Sequence, residues 1–358
     1  MVKKRILWID LLRGLGMFFI IWGHSLSNAQ SFLGTMLFEV NVPLFFILSG
    51  YLYHEQKINI QVYKLFYNLL LPYIVTCAFM AFNTMVANLT GGELIFKSMG
   101  SLKDVIKASI FAMGTPVLLM GTHINVPAIG AIWFLIALLW DEILFNFLVK
   151  KTISKGYFGI FMSIFSIILL VLGFELTHYG ILPWSLNASM IGFGFMWGGY
   201  LLKKSNFLRF SKIEILIISL LLFLGWCLAG VFKVYFWMNI AATNNIFLAI
   251  LSAFCGSFFL ILLMQYVTNS QQDNEILRFI SLYGKYSLIV LCVHIIDGNT
   301  YCLNRYIGLL VTKPIWLITL FNLCYHVAIT IFGIYVVTKI PFLKSIYDNR
   351  EQKFTWQK

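Results

Sequence analysis

Charged side chains are scarce in this chain of 358 residues, because Asp, Glu, Lys and Arg together make up only 11% of it. A soluble domain of ordinary composition has roughly 25% charged residues, which cover its surface with groups that water solvates. Hydrophobic residues make up 60% of the chain, so most of it must contact lipid or other buried helices. The composition excludes an ordinary soluble globular protein and predicts a polytopic membrane protein.

Cysteine is also sparse, and its six positions lack the C-x-x-C spacing of metal and redox sites. Most of them lie inside apolar segments, where cysteine acts as a small hydrophobic residue, so we expect neither a disulfide nor a metal site. The H-E-x-x-H, Walker, dinucleotide-glycine and nucleophile-elbow patterns are missing too. No internal repeat, strand pattern or soluble segment stands out, and we predict a single domain over residues 1–358.

Acidic residues are few compared with basic ones: 14 Asp and Glu oppose 26 Lys and Arg, for a formal net charge of +12. Nucleic-acid binding needs a solvated basic face, whereas these cations stand in short clusters between apolar runs, so we expect no nucleic-acid partner. Such clusters report membrane topology. With the Lys3, Lys4 and Arg5 end in the cytoplasm, about three times as many basic residues fall on the inner side as on the outer side, which places both termini in the cytoplasm.

Apolar runs of about 17 to 25 residues, long enough to cross a bilayer, occur ten times along the chain. We therefore predict an all-α polytopic membrane protein, a bundle of about ten transmembrane helices in the cell membrane. A longer and more polar stretch, 88–128, is expected to cover the outer mouth of a site. The ten predicted spans are 8–28, 34–53, 66–87, 129–149, 157–174, 184–202, 213–232, 245–267, 280–297 and 316–340.

The first span contains three groups that are costly to place in hydrocarbon, Asp10, Arg13 and His24. At about 100° per residue, the step from Arg13 to His24 turns the helix through roughly 1100°, close to three full turns, and Asp10 lies within about 60° of both. The three side chains are thus predicted to share one face. At 1.5 Å per residue, His24 stands about 16 Å beyond Arg13, toward the outer leaflet.

An imidazole titrates near neutrality, so a His that faces the bundle interior can accept a proton from a hydroxyl. We predict that His24 is such a base. A packing contact is about as common for a lone membrane His, but the alignment with Arg13 and Asp10 favours function. Arg13 can neutralise a phosphate or pair with Asp10, and the two roles are compatible because a guanidinium has several donors.

Other polar residues of the apolar runs give weaker signals. His294 and His326 each stand among apolar residues, where a His is more often a helix-packing contact than a catalyst. His294 together with Asp297, one turn later, is expected to line an outer vestibule. Ser49 and Gly50 offer a small surface that lets another helix approach, and packing alone explains them.

The stretch R-I-L-W-I-D-L-L-R-G-L-G-M-F-F-I-I-W-G-H-S resembles the opening helix of the membrane acyltransferase-3 family, which includes bacterial O-acetylases of polysaccharides and glycolipids. Three later stretches agree in order, so that the resemblance covers nearly the whole chain. The wording P-L-F-F-x-x-S-G-Y is most similar to the branch described as fucose 4-O-acetylase-like. The three stretches are V-P-L-F-F-I-L-S-G-Y-L at 42–52, I-W-F-L-I-A-L-L at 132–139 and Y-G-K-Y-S-L-I-V-L-C-V-H at 283–294.

The resemblance implies transfer of an acyl group, usually acetyl, from cytoplasmic acetyl-CoA to a hydroxyl of an envelope glycan or glycolipid. Arg13 and His24 match the family's essential pair and Asp10 its accompanying acid. Acyl-CoA is the implied co-substrate, held at Arg13 and Lys64, with no metal. Family members commonly have several Arg residues before the Pro of the third helix, whereas Lys64 is the only cation in this segment, and a Lys cannot replace a bidentate guanidinium.

The acceptor site is the other implied feature. Asn41 stands just before Val42 and Pro43, where related sequences often have His, so it either binds the acceptor or caps a helix. Ser49, Trp133 and His294 stand in the matching stretches and complete the predicted acceptor-binding set. The expected partners are membrane lipids and the glycan or glycolipid acceptor, in a bacterial cytoplasmic membrane. The sequence indicates neither the oligomeric state nor the sugar.

Two other classes of function stay open at this point. Buried charges also mark permeation routes, so a transporter or flippase of a lipid-linked sugar is one alternative. Such proteins are often built from inverted repeats, which the sequence does not display. A partner without activity in a polysaccharide-synthesis complex is the other alternative, favoured by the missing Arg cluster before Pro72.

Overall fold

The computed structural model describes residues 6–91, 95–205, 211–270, 274–301, 303, 306–307 and 314–348. Lys3, Lys4 and Arg5 and the C-terminal residues 349–358 lie outside this set, so the cytoplasmic placement of both termini stays a prediction. The described chain is mainly α-helical, as predicted. Its helices are α1 (Leu7–Ser25), α2 (Phe32–Asn41), α3 (Pro43–Leu52), α4 (Ile58–Leu65), α5 (Leu71–Leu89), α6 (Leu102–Phe111), α7 (Trp133–Thr152), α8 (Phe158–Glu175), α9 (Leu186–Lys204), α10 (Lys212–Val231), α11 (Ile246–Ser270), α12 (Glu275–Lys285), α13 (Ser287–Thr300), α14 (Ile315–Lys339) and α15 (Pro341–Tyr347).

Two short antiparallel hairpins interrupt the helices in the part of the chain that the structure describes, and the sequence had indicated no strand. In the first, β1 (Val117–Leu118) pairs with β2 (Asn125–Val126), with Val117 opposite Val126. In the second, β3 (Phe236–Trp237) pairs with β4 (Ala242–Thr243), with Phe236 opposite Thr243. Each strand has two residues, which is too short for an alternating pattern to be recognised in a sequence. Both hairpins stand in connections between helices.

Seven described helices, or helix runs, are long and apolar enough to cross a membrane, and one bent pair raises the number to eight. The bent pair is α12 and α13, which meet at 73°. We predicted one span at 280–297, and this span is bent at Tyr286, whose backbone between the two helices is non-helical (φ −101°, ψ 22°). The seven are Leu7–Ser25, Phe32–Leu52, Ile58–Leu89, Phe158–Tyr179, Ile213–Val231, Ile246–Asn269 and Ile315–Lys339.

The predicted count of ten spans is not confirmed. The predicted spans 129–149 and 184–202 are helical as α7 and α9, but neither is among the candidate spans of the described chain. Helix α7 contains Asp141, Glu142 and two lysines, and α9 is rich in glycine. Both helices pack inside the bundle, with α9 against α3, α7 and α8. A helix that is enclosed by protein can tolerate polar and small residues that lipid would not.

Helix α1 lies near the centre of the bundle, although it carries two charged residues. In its most apolar window 61% of the residues are buried inside the protein, compared with 17% for Ile213–Val231. Neighbours on several sides, α2, α11 and α12, pack against it. The approach of α12 is close: a Cβ atom at Gly14 would overlap the carbonyl oxygen of Ile280, and one at Gly284 would overlap that of Asp10. The absence of a side chain at both positions therefore allows α1 and α12 to pack this closely.

A second close approach joins α3 to α9. A Cβ atom at Gly50 would overlap the carbonyl oxygen of Met196, and one at Gly199 would overlap that of Ile47. The prediction that Gly50 lets another helix approach closely is confirmed by this geometry. Because α3 follows α2 directly, this contact also restricts the position of Asn41, the buried last residue of α2.

The polar stretch after α5 contains the short helix α6, which begins with a capping box. The Ser101 hydroxyl accepts a hydrogen bond from the Asp104 backbone N–H at 3.2 Å, and the Asp104 carboxylate accepts one from the Ser101 N–H at 3.0 Å. The same carboxylate accepts the Ser101 hydroxyl proton at 2.7 Å. These hydrogen bonds from Ser101 lower the pKa of Asp104 below its ordinary value.

Candidate functional site

A cavity of about 420 Å³ lies in the bundle and is walled by α1, α2, α3, α7 and α13, together with the connection after α6 and the second hairpin. Arg13 and His24 both line it. Most other wall residues are apolar, which favours a site that excludes bulk water from its deeper part. The polar residues of the wall are Arg13, His24, Asn41, Ser49, Asn68, Thr115, Asn239 and Ser287.

Helix α1 contributes one continuous face to this cavity. Its four lining residues, Arg13, Met17, Ile20 and His24, follow the spacing of i, i+4, i+7 and i+11. The helix is unbroken from Leu7 to Ser25, so the rotation per residue that relates Arg13 to His24 holds along the whole stretch. His24 is exposed to the cavity, and Arg13 is half-buried. A cation and an imidazole about three turns apart thus face one enclosed space.

Asp10, the third predicted catalytic residue, does not line this cavity. Its side chain is buried, and its backbone carbonyl lies where α12 comes closest, at Gly284. Its predicted role as the acid that accompanies Arg13 stays a prediction. A position one turn before Arg13 suits a residue that helps to hold the α1 terminus.

Three of the four predicted acceptor-binding residues line the cavity. Asn41 is buried at the end of α2, Ser49 is half-buried in α3, and Trp133 is buried at the start of α7. The Trp133 ring packs against Gly114, where an added Cβ atom would overlap it. These residues come from different helices, and the cavity brings them to the same space as His24.

His294, the fourth predicted acceptor residue, does not line this cavity. It is buried in α13 behind His24, and the two imidazole rings are 5.5 Å apart between their centroids. On its other side, the ring of His326 from α14 lies 5.2 Å away in an edge-to-face arrangement. His294 therefore contacts the predicted base and not the space where an acceptor would bind.

Lys64 also lies outside the walls of the cavity. It is half-buried in α4, and its ammonium group donates a hydrogen bond to the Gln56 side chain at 2.6 Å. The contact of Lys64 with acyl-CoA stays a prediction. Since Lys64 does not line the cavity, such a contact would be made outside it.

Several polar wall residues were missed by the sequence reasoning. Asn68 lies in a π-helical segment, Phe66–Leu70, which leads into Pro72 of α5. π-Helical segments are frequent at functional sites, and Pro72 lacks the N–H that a regular helix would use at this point. Asn239 donates a hydrogen bond to the Thr115 hydroxyl at 3.3 Å, joining the second hairpin to the stretch after α6. An asparagine inside the apolar run before Pro72 was the available signal for Asn68.

Two buried carboxylates were also missed. Asp141 of α7 accepts a hydrogen bond from the Ser189 hydroxyl at 2.6 Å, while its second oxygen has no hydrogen-bond partner. Glu39 of α2 accepts one from Ser252 at 3.2 Å, and its second oxygen likewise has none. Among the described residues, no group of three or more His, Cys, Asp or Glu side chains is placed to hold one metal ion.

The architecture defines a class: a multi-pass membrane protein whose central helix presents a cation and an imidazole to a mainly apolar cavity. The chain belongs to the acyltransferase-3 family, because the family model described as "Acyltransferase domain" matches residues 6–338, nearly its whole length. It is therefore a membrane acyltransferase. Searches of curated proteins and of solved structures found no significant match. The match is to the family as a whole, so the fucose 4-O-acetylase-like branch stays a prediction.

Proposed function

We propose that the protein transfers an acyl group, usually acetyl, from acyl-CoA to a hydroxyl of an envelope polysaccharide or glycolipid, with His24 as the general base. The observation that supports this most directly is the shared cavity of Arg13 and His24. A donor with phosphate groups needs a cation, and an alcohol acceptor needs a base near neutral pH. Residues of both kinds face the same space from one helix.

The size and lining of the cavity fit part of each substrate. About 420 Å³ lies near the lower end of the range for small-molecule sites, roughly 300 to 1,000 Å³. Such a space suits the acyl thioester with the end of its arm and one hydroxyl-bearing ring, while the nucleotide part of CoA and the rest of a glycan stay outside. The largely apolar wall suits an acyl chain and the flexible arm of CoA.

The chemical step is a direct transfer. His24 accepts the proton of the acceptor hydroxyl as its oxygen attacks the thioester carbonyl carbon, and an ester C–O bond forms. The C–S bond breaks, the electron pair leaves with the thiolate of CoA, and the thiolate takes the proton from the His24 imidazolium. A protein nucleophile is not needed, and His24 is regenerated in its neutral form. Asn41 and Ser49 supply hydrogen-bonding groups for the sugar.

Mass spectrometry of envelope glycans from cells that express the wild-type protein or His24→Ala tests the base. We expect the acetyl mass increment with the wild type and its loss with His24→Ala at equal protein level. His178→Ala is the matched control, since His178 is an exposed His that lies outside the cavity. Retained acylation in His24→Ala would show that His24 is not the base.

Binding of acetyl-CoA to the purified protein tests the donor. Because Arg13 lines the cavity and Lys64 does not, Arg13→Ala should weaken binding more than Lys64→Ala. Arg13→Lys should recover only part of the affinity, since an ammonium group lacks the bidentate geometry of a guanidinium. A wild type that neither binds acetyl-CoA nor acylates glycans would indicate a partner without activity. Counterflow of a lipid-linked sugar in proteoliposomes without acyl-CoA would indicate a transporter.

A further inference from the structure

Three histidines from three helices stand in a row that leads away from the cavity. His24 of α1 lines the cavity, His294 of α13 lies behind it, and His326 of α14 lies behind His294. The ring centroids are 5.5 Å apart in the first pair and 5.2 Å apart in the second. At such separations, rotation of the rings brings nitrogens of neighbouring imidazoles to hydrogen-bond distance, roughly 3 Å. We call His24, His294, His326, Asp297 and Tyr325 the histidine row.

The inner end of the histidine row is a carboxylate with two donors. The Asp297 Oδ1 accepts a hydrogen bond from the Tyr325 hydroxyl, with 2.5 Å between the two oxygens. The Asp297 Oδ2 lies 2.9 Å from His326 Nδ1, at hydrogen-bond distance. When Asp297 is ionised its side chain only accepts, and the Nδ1 of His326 then carries the proton in this contact. In a neutral imidazole the other nitrogen then has a free lone pair, so that Asp297 prepares His326 to accept a proton at Nε2.

His294, in the middle of the histidine row, has an incomplete set of hydrogen bonds. The Nδ1 atom of His294 is buried and has no hydrogen-bond partner. Leaving a buried polar nitrogen without a partner costs free energy, so a side chain with a packing role alone would be expected to find one. His294 lies instead between two imidazoles that can each accept or donate a proton. Such an arrangement favours a group whose partners change during a reaction.

We propose that His294, His326 and Asp297 are positioning residues that share the proton held by His24 during acyl transfer. This inference rests on the proposed function of His24. When His24 has accepted the hydroxyl proton, its imidazolium donates a proton to His294, His294 donates one from its other nitrogen to His326, and the Asp297 carboxylate stabilises the resulting charge. The proton returns by the same groups to His24 and then to the CoA thiolate. The row therefore gains and loses no proton over one turnover.

The competing explanation is that Asp297, Tyr325 and His326 only join α13 to α14. In that case His294 only fills space between the helices, and a side-chain amide of similar size could replace it without loss of activity. A proton relay needs a group that accepts at one nitrogen and donates from the other, which a Gln side chain cannot do. His294→Gln therefore separates the two explanations without leaving a large void.

The experiment measures acyl transfer by the full-length protein in membranes at matched protein levels, with saturation curves for acetyl-CoA. For His294→Gln we expect kcat to fall by about 10- to 100-fold, as is found for residues that orient metal ligands, with KM nearly unchanged. Asp297→Asn should give a similar loss. The double variant should be little slower than either single variant, since residues that act as a unit are not additive.

Imidazole rescue is the second readout. In His294→Ala, added imidazole should restore a large part of kcat, since the free ring can occupy the vacated space and exchange protons with His24 and His326. Tyr283→Phe is the matched control, because the Tyr283 hydroxyl makes a buried hydrogen bond with Thr330 of α14 at 2.8 Å and its loss should change kcat little. Imidazole should not affect this control.

The outcomes separate the two proposals. Active wild type with full kcat in His294→Gln would overturn the relay and leave the proposed function intact. Loss of activity in His294→Ala without imidazole rescue, together with additive losses in the double variant, would also overturn it and indicate a packing role. A wild type without acyl transfer would overturn the proposed function and the relay together.

Discussion

The histidine row differs from a second buried polar cluster, which lies among α3, α4 and α7. In that cluster, the asparagine network, Asn146 accepts a hydrogen bond from the Tyr53 hydroxyl at 2.8 Å and donates to the Gln61 side chain at 2.7 Å. Gln61 in turn donates to the Glu142 carbonyl at 2.6 Å, and Asn146 also donates to the Gln56 carbonyl at 3.2 Å. Polar atoms of the network are paired in one fixed arrangement, whereas His294 in the row has a nitrogen without a partner.

The contrast separates two uses of buried polar side chains. A fully paired network has one favoured geometry and stabilises it, because each group that loses its partner would stay desolvated. A row of titratable rings with incomplete pairing stabilises the fold less, but it can change its hydrogen bonds as protons move. We therefore expect changes in the row to affect mainly activity, and changes in the network to affect mainly stability.

The largest effect is expected for His24→Ala. Loss of a general base typically costs 10²- to 10⁴-fold in rate, so kcat for acyl transfer should fall by about that factor. The imidazole faces the cavity but also packs against the rings of Phe38 and His294, so the free energy of unfolding should fall by only about 0.5 to 1.5 kcal/mol. Kinetics and thermal unfolding in the same detergent measure the two quantities. A large loss of stability would place His24 with the structural groups.

The next effect is expected for Asn146→Leu. This change leaves the Tyr53 hydroxyl and the Gln61 side chain without their partner, at about 1 to 3 kcal/mol for each buried group. The melting temperature should therefore fall by several degrees, while kcat per folded molecule stays close to that of the wild type. Thermal unfolding combined with activity normalised to folded protein checks this. A selective loss of kcat would mean that the network also serves the reaction.

A comparable loss of stability is expected when the close approach of α1 to α12 is blocked. In Gly14→Ala the new Cβ atom would overlap the carbonyl oxygen of Ile280, and overpacking of this kind costs about 1 to 3 kcal/mol. In contrast, Gly159 of α8 has no atom within 4 Å of an added Cβ atom. Gly159→Ala should stabilise the protein by up to about 1 kcal/mol, because alanine has the better helix propensity. Equal effects of the two changes would contradict this packing.

The sequence predicts the part of the site that one helix presents. Arg13 and His24 were found because the 3.6-residue period relates positions within a helix, and the resemblance in the opening stretch indicated the family. Asn68, Thr115 and Asn239 were not found, because each enters the cavity wall from a different segment and only the tertiary fold brings them together. His294 was assigned to the acceptor site because the sequence around it gives no sign that His24 and His326 lie on either side of its ring.

The number of membrane spans has a similar explanation. Apolar runs predict helices well, and each predicted span overlaps a helix of the described chain. They do not tell which helices contact lipid, since α7 and α9 are enclosed by their neighbours. The bend of 73° between α12 and α13 could not be predicted either. The run from 280 to 297 is mainly apolar and contains no proline that would mark a break. Burial and bending depend on the partner helices.

The smallest effect is expected at Asp104, a carboxylate outside both buried clusters. Hydrogen bonds from Ser101 lower the pKa of Asp104, so its ionised form is favoured in the folded protein. Its contribution to α6 is fully present above the ordinary pKa of Asp, about 3.9, and is lost as the pH falls through the lowered value. The protection factors of the α6 amides in hydrogen exchange should therefore fall only in acid. In Asp104→Asn this acid dependence should disappear, and an unchanged pH profile would mean that another group protects α6. Asp104 is exposed, and its hydrogen-bond partner Ser101 is only three residues away in the sequence. The Asp104→Asn change should therefore leave acyl transfer near neutral pH unaffected, whereas changes to the histidine row should slow it.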